Sequence, residues 1–364
     1  MKYILICITS LYVFSTNIFC QDFDQLKANE TITVQYEPYK WDTASPKDFN
    51  INTNKLNTFF DRISEWENLR SVLVIKDDKL IVEKYYNGWN KYTAYNTYST
   101  TKSITSALIG IAIKQKFIHS EEDKMMNFFP EYITKINDPK KNNITLKNLL
   151  TMTSGLKPNE WSNPSIDYAL SNAPFEKEPG EKFLYYNALP MLLSAIITKS
   201  TNLTIKEFAE KNLFEPLGMK CAYWKKEGEY YSGRSNTYFT SRDLARLGSL
   251  YLKKGNINGK QMIDSSWIEK SFKNYAESDK NFFLTGDNYH QTGYGYLWWI
   301  SEANNTVYYS AYGAGDQFLL INPANNTIIV ISQFYKDTWF EKKENVNSVG
   351  ELLSIIDNPA RTDL

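Results

Sequence analysis

Two polar residues at the start of a predicted helix have the types and the spacing of a nucleophile and its base. In residues 98–113, hydroxyl side chains come first and an apolar run follows, which predicts a helix that begins near Ser99. On such a helix Ser99 and Lys102 stand three positions apart and share one face. Burial and the positive end of the helix dipole would both lower the pKa of the lysine. A partly neutral Lys102 could then accept the proton of Ser99, whose hydroxyl alone is a weak nucleophile.

The same spacing also has a purely structural interpretation. Ser99 would cap the N-terminus of the helix, and Lys102 would lie on a solvated first turn. The four-residue pattern recurs at Ser154 and Lys157, where Pro158 follows at once and a loop is expected. The pattern alone does not decide between the two interpretations.

Composition argues against several classes of function. The 364 residues carry 41 basic and 41 acidic side chains without a basic tract, so no nucleic acid partner is expected. The two histidines, His119 and His290, are both expected at the surface, which disfavours a histidine-rich metal site and a Ser-His-Asp triad. No metal or other cofactor is expected. A serine enzyme with this sequence needs a base other than histidine.

The N-terminus resembles a secretory leader. Residues 1–20 have a short basic start and an apolar stretch that is too short and too interrupted to span a membrane. We expect cleavage near Cys20 and an exported, periplasmic or secreted protein. A lipid anchor at Cys20 is the alternative, which the bulky Phe19 disfavours. Cys221 is then the single remaining cysteine, so no internal disulfide is expected. No later apolar run is long enough to span a membrane, and the oligomeric state is left open.

The order of the predicted elements indicates an α+β fold. Helices are predicted over 54–66, 185–200, 205–213, 241–253 and 346–356, and strands over 71–75, 80–86, 294–300, 306–309, 317–321 and 327–331. Because strands lie near both ends of the chain, we expect one antiparallel sheet flanked by helices, formed by 51–115 and 225–364. Residues 116–224 would form an inserted all-helical subdomain, and 21–50 an extended N-terminal arm.

Five blocks in order resemble the serine β-lactamase/penicillin-binding-protein superfamily. They are residues 99–103, 149–156, 179–187, 241–248 and 294–299. The first has the Ser-x-x-Lys signature of that superfamily. The likeness is greatest to the class C-like branch, which also holds carboxylesterases, D-amino-acid peptidases and 6-aminohexanoate-oligomer hydrolases. It implies a β-lactamase/transpeptidase-like fold for residues 70–340.

The resemblance assigns the family's Tyr-x-Asn motif to Tyr185 and Asn187. A phenol beside a lysine ammonium is easier to ionise, so Tyr185 could exchange protons with Ser99 and with the leaving group. Asn187 has a donor and an acceptor that suit it to hold Lys102 and a substrate carbonyl. The alternative is a core tyrosine followed by a helix-capping asparagine. The same three letters at residues 85–87 precede a glycine in a predicted turn.

The third family motif departs from its usual form. Residues Ala311, Tyr312 and Gly313 stand where a lysine or histidine, a threonine and a glycine are expected. The resemblance implies that Gly313 leaves room for a substrate and that the Ala314 N–H joins the Ser99 N–H in an oxyanion hole. The missing cation disfavours substrates with a carboxylate. Asp316 would repel an anion too, unless it only caps the turn.

The preferred function is therefore an exported serine hydrolase that acts on an ester or amide of a small molecule or peptide. β-Lactamase or D-Ala-D-Ala carboxypeptidase activity is the first alternative, and a catalytically silent binding protein is the second. Three further expectations concern aromatic and charged side chains. Trp161 lines a pocket or packs at the surface, Trp298 and Trp299 fill the core beneath the site, and Arg242, Asp243 and Arg246 are structural.

Overall fold

The computed structural model describes residues 30–158, 165–276, 284–334 and 342–357. Their α-helices are Thr53–Ile63 (α1), Thr101–Lys114 (α2), Leu146–Leu150 (α3), Ile166–Ser171 (α4), Ala188–Thr201 (α5), Ile205–Ala209 (α6), Glu215–Leu217 (α7), Ser241–Leu252 (α8), Ser265–Ser271 (α9) and Lys342–Asp357 (α10). None of these helices has the length and apolar character needed to cross a bilayer.

The strands of the same residues form one large sheet and three small ones. They are Thr31–Thr33 (β1), Asp42–Thr43 (β2), Leu69–Lys76 (β3), Lys79–Tyr85 (β4), Thr93–Asn96 (β5), Tyr223–Trp224 (β6), Lys226–Glu227 (β7), Tyr230–Tyr231 (β8), Thr237–Phe239 (β9), Asn256–Ile257 (β10), Lys260–Gln261 (β11), His290–Tyr294 (β12), Trp299–Ala303 (β13), Thr306–Gly313 (β14), Gln317–Asn322 (β15) and Thr327–Gln333 (β16).

The large sheet joins both ends of the chain, as predicted. Its order is β12-β13-β14-β15-β16-β3-β4-β2, and each pair is antiparallel except the short edge pair of β2 with β4. The contact between the two ends is β16 with β3, where Val330 lies opposite Leu73. The predicted α+β fold is therefore confirmed. The proposed limits of the helical subdomain, 116–224, stay a prediction.

Each face of the sheet is covered by helices and has its own apolar core. Helices α1 and α10 pack on one face, with Phe59 and Leu353 among the buried residues. Helices α2, α5 and α8 belong to the larger core on the other face. Ile104, Leu108 and Ile111 of α2 are almost completely buried in it. The apolar run after Ser99 thus anchors the polar start of this helix beside β14 of the sheet.

Two of the predicted elements are wrong in detail. The single strand expected over 294–300 is two strands, β12 and β13, joined by a turn in which Leu297 is left-handed with φ 59°. The helix expected to end before Pro216 instead continues through Leu217. It consists of α6, a π-helical turn over Glu210–Phe214, and α7 in direct succession. A π turn shifts the hydrogen-bond pattern, so the missing N–H of the proline is tolerated. Trp161 and the predicted leader lie outside the described residues.

Candidate active site

Ser99 lies at the point where the chain enters helix α2. A 3₁₀ turn over Tyr98–Thr100 leads directly into the helix. Tyr98 has the left-handed φ of 46°, which turns the chain sharply just before the serine. The Thr101 hydroxyl donates to the Tyr98 carbonyl at 2.7 Å and closes this turn. Ser99 is partly exposed, so a substrate can reach its hydroxyl.

Lys102 lies one turn further along and is buried, with 2% of its surface exposed. Its Nζ donates to Ser99 Oγ at 2.8 Å and to the backbone carbonyl of Arg234 at 2.9 Å. Burial lowers the pKa of Lys102 well below its usual value, and the nearby Arg234 charge lowers it further, while Glu227 opposes the shift. The interpretation of Lys102 as a solvated first-turn residue is therefore wrong. Its amine can act as a proton acceptor for Ser99.

Tyr185 completes a group of three polar side chains in which Lys102 and Tyr185 are buried and Ser99 is partly exposed. It shares a hydrogen bond with Ser99, and Lys102 Nζ lies 5.0 Å from the centre of its ring. The indole of Trp299 stacks on the phenol with ring centres 5.9 Å apart. Trp298 and Trp299 both lie in the core, as expected, with 0% and 5% of their surfaces exposed, and Trp299 also packs against the Tyr185 ring.

The expected ease of ionisation of Tyr185 is not found. Burial raises its pKa to about 12, although the hydrogen bond with Ser99 and the charge of Arg234 act in the opposite direction. The reason is that burial acts on both groups. Lys102 is itself disfavoured as an ammonium, so it supplies little positive charge to stabilise a phenolate. Tyr185 therefore stays a neutral phenol, which suits a proton donor.

Asn187 is buried at the N-cap position of α5, two residues after Tyr185. The sequence suggested that its amide would hold Lys102. In the part of the chain that the structure describes, the hydrogen bonds of the Lys102 amine go to Ser99 and to the Arg234 carbonyl instead. Arg234 is thus a site residue that the sequence analysis missed. A backbone carbonyl leaves no signal in residue type, and Arg234 belongs to none of the five family blocks.

The third motif lies at the end of β14, against the start of the Ser99 turn. A Cβ atom built on Gly313 would lie 2.4 Å from the Thr97 carbonyl oxygen and 3.2 Å from the Ser99 nitrogen. Only glycine fits such an approach, so the strand lies directly beside the Ser99 amide. Ala314 follows at the end of the strand. The arrangement places the Gly313–Ala314 backbone next to the nucleophile, as an oxyanion hole requires.

Tyr312 and Asp316 bind each other at this end of the sheet. The Tyr312 hydroxyl donates to Asp316 Oδ1 at 2.9 Å, and Asn345 Nδ2 of α10 donates to Asp316 Oδ2 at 2.8 Å. Asp316 is 8% exposed and has a left-handed φ of 57°. Its carboxylate therefore links β14 to α10 through two side chains, and these hydrogen bonds do not go to the backbone of the turn. The three third-motif positions, Ala311, Tyr312 and Gly313, carry no cationic side chain that could bind a substrate carboxylate.

The look-alike motifs are structural. Ser154 is buried in a loop, where its Oγ accepts from the Leu156 amide. Asn87 is left-handed in the turn after β4 and donates to three backbone carbonyls there. At the start of α8, Arg242 forms a double hydrogen bond with Glu83, 2.7 Å for each contact, and the Arg246 Nε donates to a carbonyl. These arginines support the fold, as expected.

Comparison with known proteins identifies the family of this chain. The model of the Beta-lactamase family matches residues 70–345. An uncharacterised protein of Alkalihalophilus pseudofirmus is 25% identical over 226 residues, which cover 54% of this chain and 62% of that protein. A protein of Escherichia coli K12 provisionally named D-alanyl-D-alanine carboxypeptidase is 23% identical over 211 residues, 48% of each chain. The alignments thus span about half to three fifths of these relatives.

Solved structures share the fold over most of the chain. A protein from Bacteroides dorei, provisionally named β-lactamase, superposes with a TM-score of 0.70 at 16% identity and covers 84% of this chain and 99% of its own. A provisionally named 6-aminohexanoate-dimer hydrolase from Bacillus anthracis has a TM-score of 0.67 at 20% identity, covering 90% and 92%. An octameric penicillin-binding protein homologue from Pyrococcus abyssi has 0.65 at 19%, covering 85% and 79%.

Proposed function

Since this chain belongs to the Beta-lactamase family of hydrolases, we propose that it cleaves an ester or amide bond through an acyl-enzyme on Ser99. The observation that carries the proposal is the buried Lys102 amine, 2.8 Å from Ser99 Oγ, in surroundings that disfavour its ammonium form. A serine hydroxyl needs a base within hydrogen-bond reach, and Lys102 is that base. Tyr185 lies on the same hydroxyl and keeps its proton.

In the first half of the reaction, the Ser99 hydroxyl gives its proton to the lone pair of Lys102 while its oxygen attacks the substrate carbonyl. The backbone N–H groups of Ser99 and Ala314 stabilise the negative oxygen of the tetrahedral intermediate. The bond to the leaving group breaks as Tyr185 protonates that group. The Lys102 ammonium then returns a proton to Tyr185, and the acyl group remains on Ser99.

In the second half, water takes the place of the leaving group. Lys102, again neutral, accepts a proton from the water molecule while the water oxygen attacks the acyl carbonyl. When the ester bond to Ser99 breaks, the proton on Lys102 passes to the Ser99 oxygen. The products are a free acid and the starting enzyme, so one water molecule is consumed and no other reactant is needed.

The geometry favours an uncharged acyl group. The third motif has Ala311 in place of a lysine or histidine, and the carboxylate of Asp316 is bound to Tyr312 and Asn345 at the same end of the strand. A substrate carboxylate would therefore lack the cation that commonly binds it in this superfamily. Esterase or amidase activity ranks above β-lactamase activity for this reason. Export through the predicted leader, residues 1–20, is part of the same proposal.

Removal of a terminal D-alanine from a peptide is the alternative, and the name of the Escherichia coli relative is the observation that favours it. The test is hydrolysis of three substrates, namely p-nitrophenyl esters, a chromogenic cephalosporin and a peptide ending in D-Ala-D-Ala. Ser99→Ala should abolish turnover. Ser154→Ala is the matched control, because it removes the serine of the other Ser-x-x-Lys sequence. Ester turnover that survives Ser99→Ala would refute the proposed nucleophile, and preference for the peptide would replace the proposed substrate class.

A further inference from the structure

A carboxylate outside the five family blocks is connected, through other residues, to both members of the Ser99–Lys102 pair. Glu227, on β7, accepts a hydrogen bond from Arg234 Nε at 2.8 Å through one oxygen and from Asn236 Nδ2 at 3.2 Å through the other. Both side chains of the ion pair are mostly buried, with 17% and 18% of their surfaces exposed. Glu227 therefore holds the segment 234–236 at two points.

The first connection leads to Lys102. The Arg234 backbone carbonyl accepts a hydrogen bond from Lys102 Nζ, and the Arg234 side chain is fixed by Glu227. On the adjacent residue, the Gly233 carbonyl accepts from the Thr105 hydroxyl of α2 at 2.8 Å, which ties the same segment to the catalytic helix. Because Lys102 has a long flexible side chain, the position of the Arg234 carbonyl decides where the Lys102 amine lies relative to Ser99.

The second connection leads to Ser99. Asn236 Oδ1 accepts from Asn96 Nδ2 at 2.9 Å, and Asn96 Oδ1 in turn accepts from the Tyr98 backbone N–H at 2.9 Å. Tyr98 is held in the left-handed region, which is unfavourable for a residue other than glycine. Such a conformation persists only when the surrounding structure enforces it. The asparagine pair supplies that restraint immediately before the nucleophile.

We propose that Glu227 is a positioning residue for the proposed reaction, acting on Lys102 through Arg234 and on Ser99 through Asn236 and Asn96. The inference rests on the proposed function, since it assigns Glu227 a role in arranging that same pair. Glu227 itself touches neither Ser99 nor Lys102 in this arrangement. Its effect is transmitted through a carbonyl position and through a backbone turn.

The charges of the pair act on Lys102 in opposite directions. The Arg234 guanidinium lowers the pKa of Lys102, and the Glu227 carboxylate raises it, while burial is the largest cause of the net lowering. Among the residues that the structure describes, the phenol of Tyr185 also lies against the amine, and it stays neutral. Removing one charge of the pair should therefore move the protonation of Lys102 in one direction, and removing the other should move it back.

The experiment measures kcat and kcat/KM against pH for the full chain and three variants with an activated p-nitrophenyl ester. In Glu227→Gln, kcat should fall about 10-fold, because the carbonyl and the Tyr98 turn lose their restraint. The acid limb of the profile should move to lower pH. In Arg234→Gln the acid limb should move to higher pH, and in the double variant it should return toward the wild-type position.

Glu83→Gln is the matched control, because it removes the carboxylate of another ion pair, in which Glu83 binds Arg242 and Tyr85 rather than Ser99, Lys102 or Arg234. It should leave the acid limb unchanged. Acid limbs of Glu227→Gln and Arg234→Gln that coincide with wild type, or that move in the same direction, would overturn the inference. A merely structural role would lower stability without these opposite shifts.

A second measurement separates failure of this inference from failure of the proposed function. The free energy of unfolding is measured against pH for the same variants, each compared with the corresponding Lys102→Met protein. The difference reports protonation of Lys102 without any substrate. If wild type shows no turnover that depends on Ser99, the proposed function fails, yet opposite shifts in this measurement still support the electrostatic part of the inference and equal profiles refute it.

Discussion

Gly313→Ala tests the contact between the third motif and the nucleophile. The added Cβ would lie 2.4 Å from the Thr97 carbonyl oxygen, whereas ordinary contacts begin near 3.4 Å, so β14 and the turn must separate by about 1 Å. The obstructing atom belongs to the backbone, so no side-chain rotation relieves it. A displacement of 1 Å at a reacting group reduces catalysis by roughly 100-fold. Overpacking should also destabilise the fold by about 1–3 kcal/mol.

The assay is the rate of acylation by an activated ester, normalised to the folded fraction from thermal unfolding. Gly248→Ala is the control, because its Cβ would lie 2.7 Å from Ile328 Cγ2 in the packing of α8 on the sheet, rather than against the Ser99 turn. It should lower the melting temperature and leave acylation by the folded enzyme unchanged. A folded Gly313→Ala protein that acylates within about 3-fold of wild type, a loss well below that expected for such a displacement, would refute the placement of this strand beside the reacting atoms.

Three further predictions follow from the buried ionisable groups. The free energy of unfolding of wild type relative to Lys102→Met should fall by about 1.4 kcal/mol per pH unit as the pH decreases from 10.5 toward the lowered pKa of Lys102. The reason is that only the unfolded chain binds the proton in this pH range. A difference that does not change with pH in denaturant titrations would show that Lys102 is charged in the folded protein. Tyr185→Phe should reduce kcat by about 10²–10⁴-fold with little change in melting temperature, because the stacking on Trp299 is kept; near wild-type turnover would exclude Tyr185 as the acid. Asp357→Ala should destabilise the fold by about 3–5 kcal/mol without altering kcat, because it removes the hydrogen-bond partner of Lys76, Thr327 and other buried groups. A loss of stability below about 1 kcal/mol would contradict this role of Asp357.

The sequence was sufficient for the local arrangement of the nucleophile and for the class of fold. A hydroxyl-rich start followed by an apolar run predicted both the helix and the shared face of Ser99 and Lys102, because helical spacing follows from the pattern alone. Apolar runs over 71–75 and 80–86 predicted the strands β3 and β4 in the same way. Asp77 and Asp78, which lie between these strands, are left-handed in the turn. Periodicity and turn chemistry are local properties, so one sequence contains them.

The parts that sequence did not predict depend on tertiary environment. The direction of the Tyr185 pKa shift depends on how deeply both Tyr185 and Lys102 are buried, which no spacing reveals. The Arg234 carbonyl that holds Lys102 is a backbone atom, so its residue type gives no signal. The turn between β12 and β13 was missed because Leu297, an apolar residue, adopts a left-handed conformation there. Its amide donates to the Leu150 carbonyl, a long-range contact that arises only in the folded chain.

The most direct test of the account is the mass of the protein after reaction with an activated p-nitrophenyl ester. We predict an increase equal to one acyl group, located by peptide mass spectrometry on Ser99, in wild type and in Ser154→Ala. Ser99→Ala should show no increase. An acyl group on any other residue, or none in a folded wild-type protein that turns the ester over, would contradict an acyl-enzyme on Ser99.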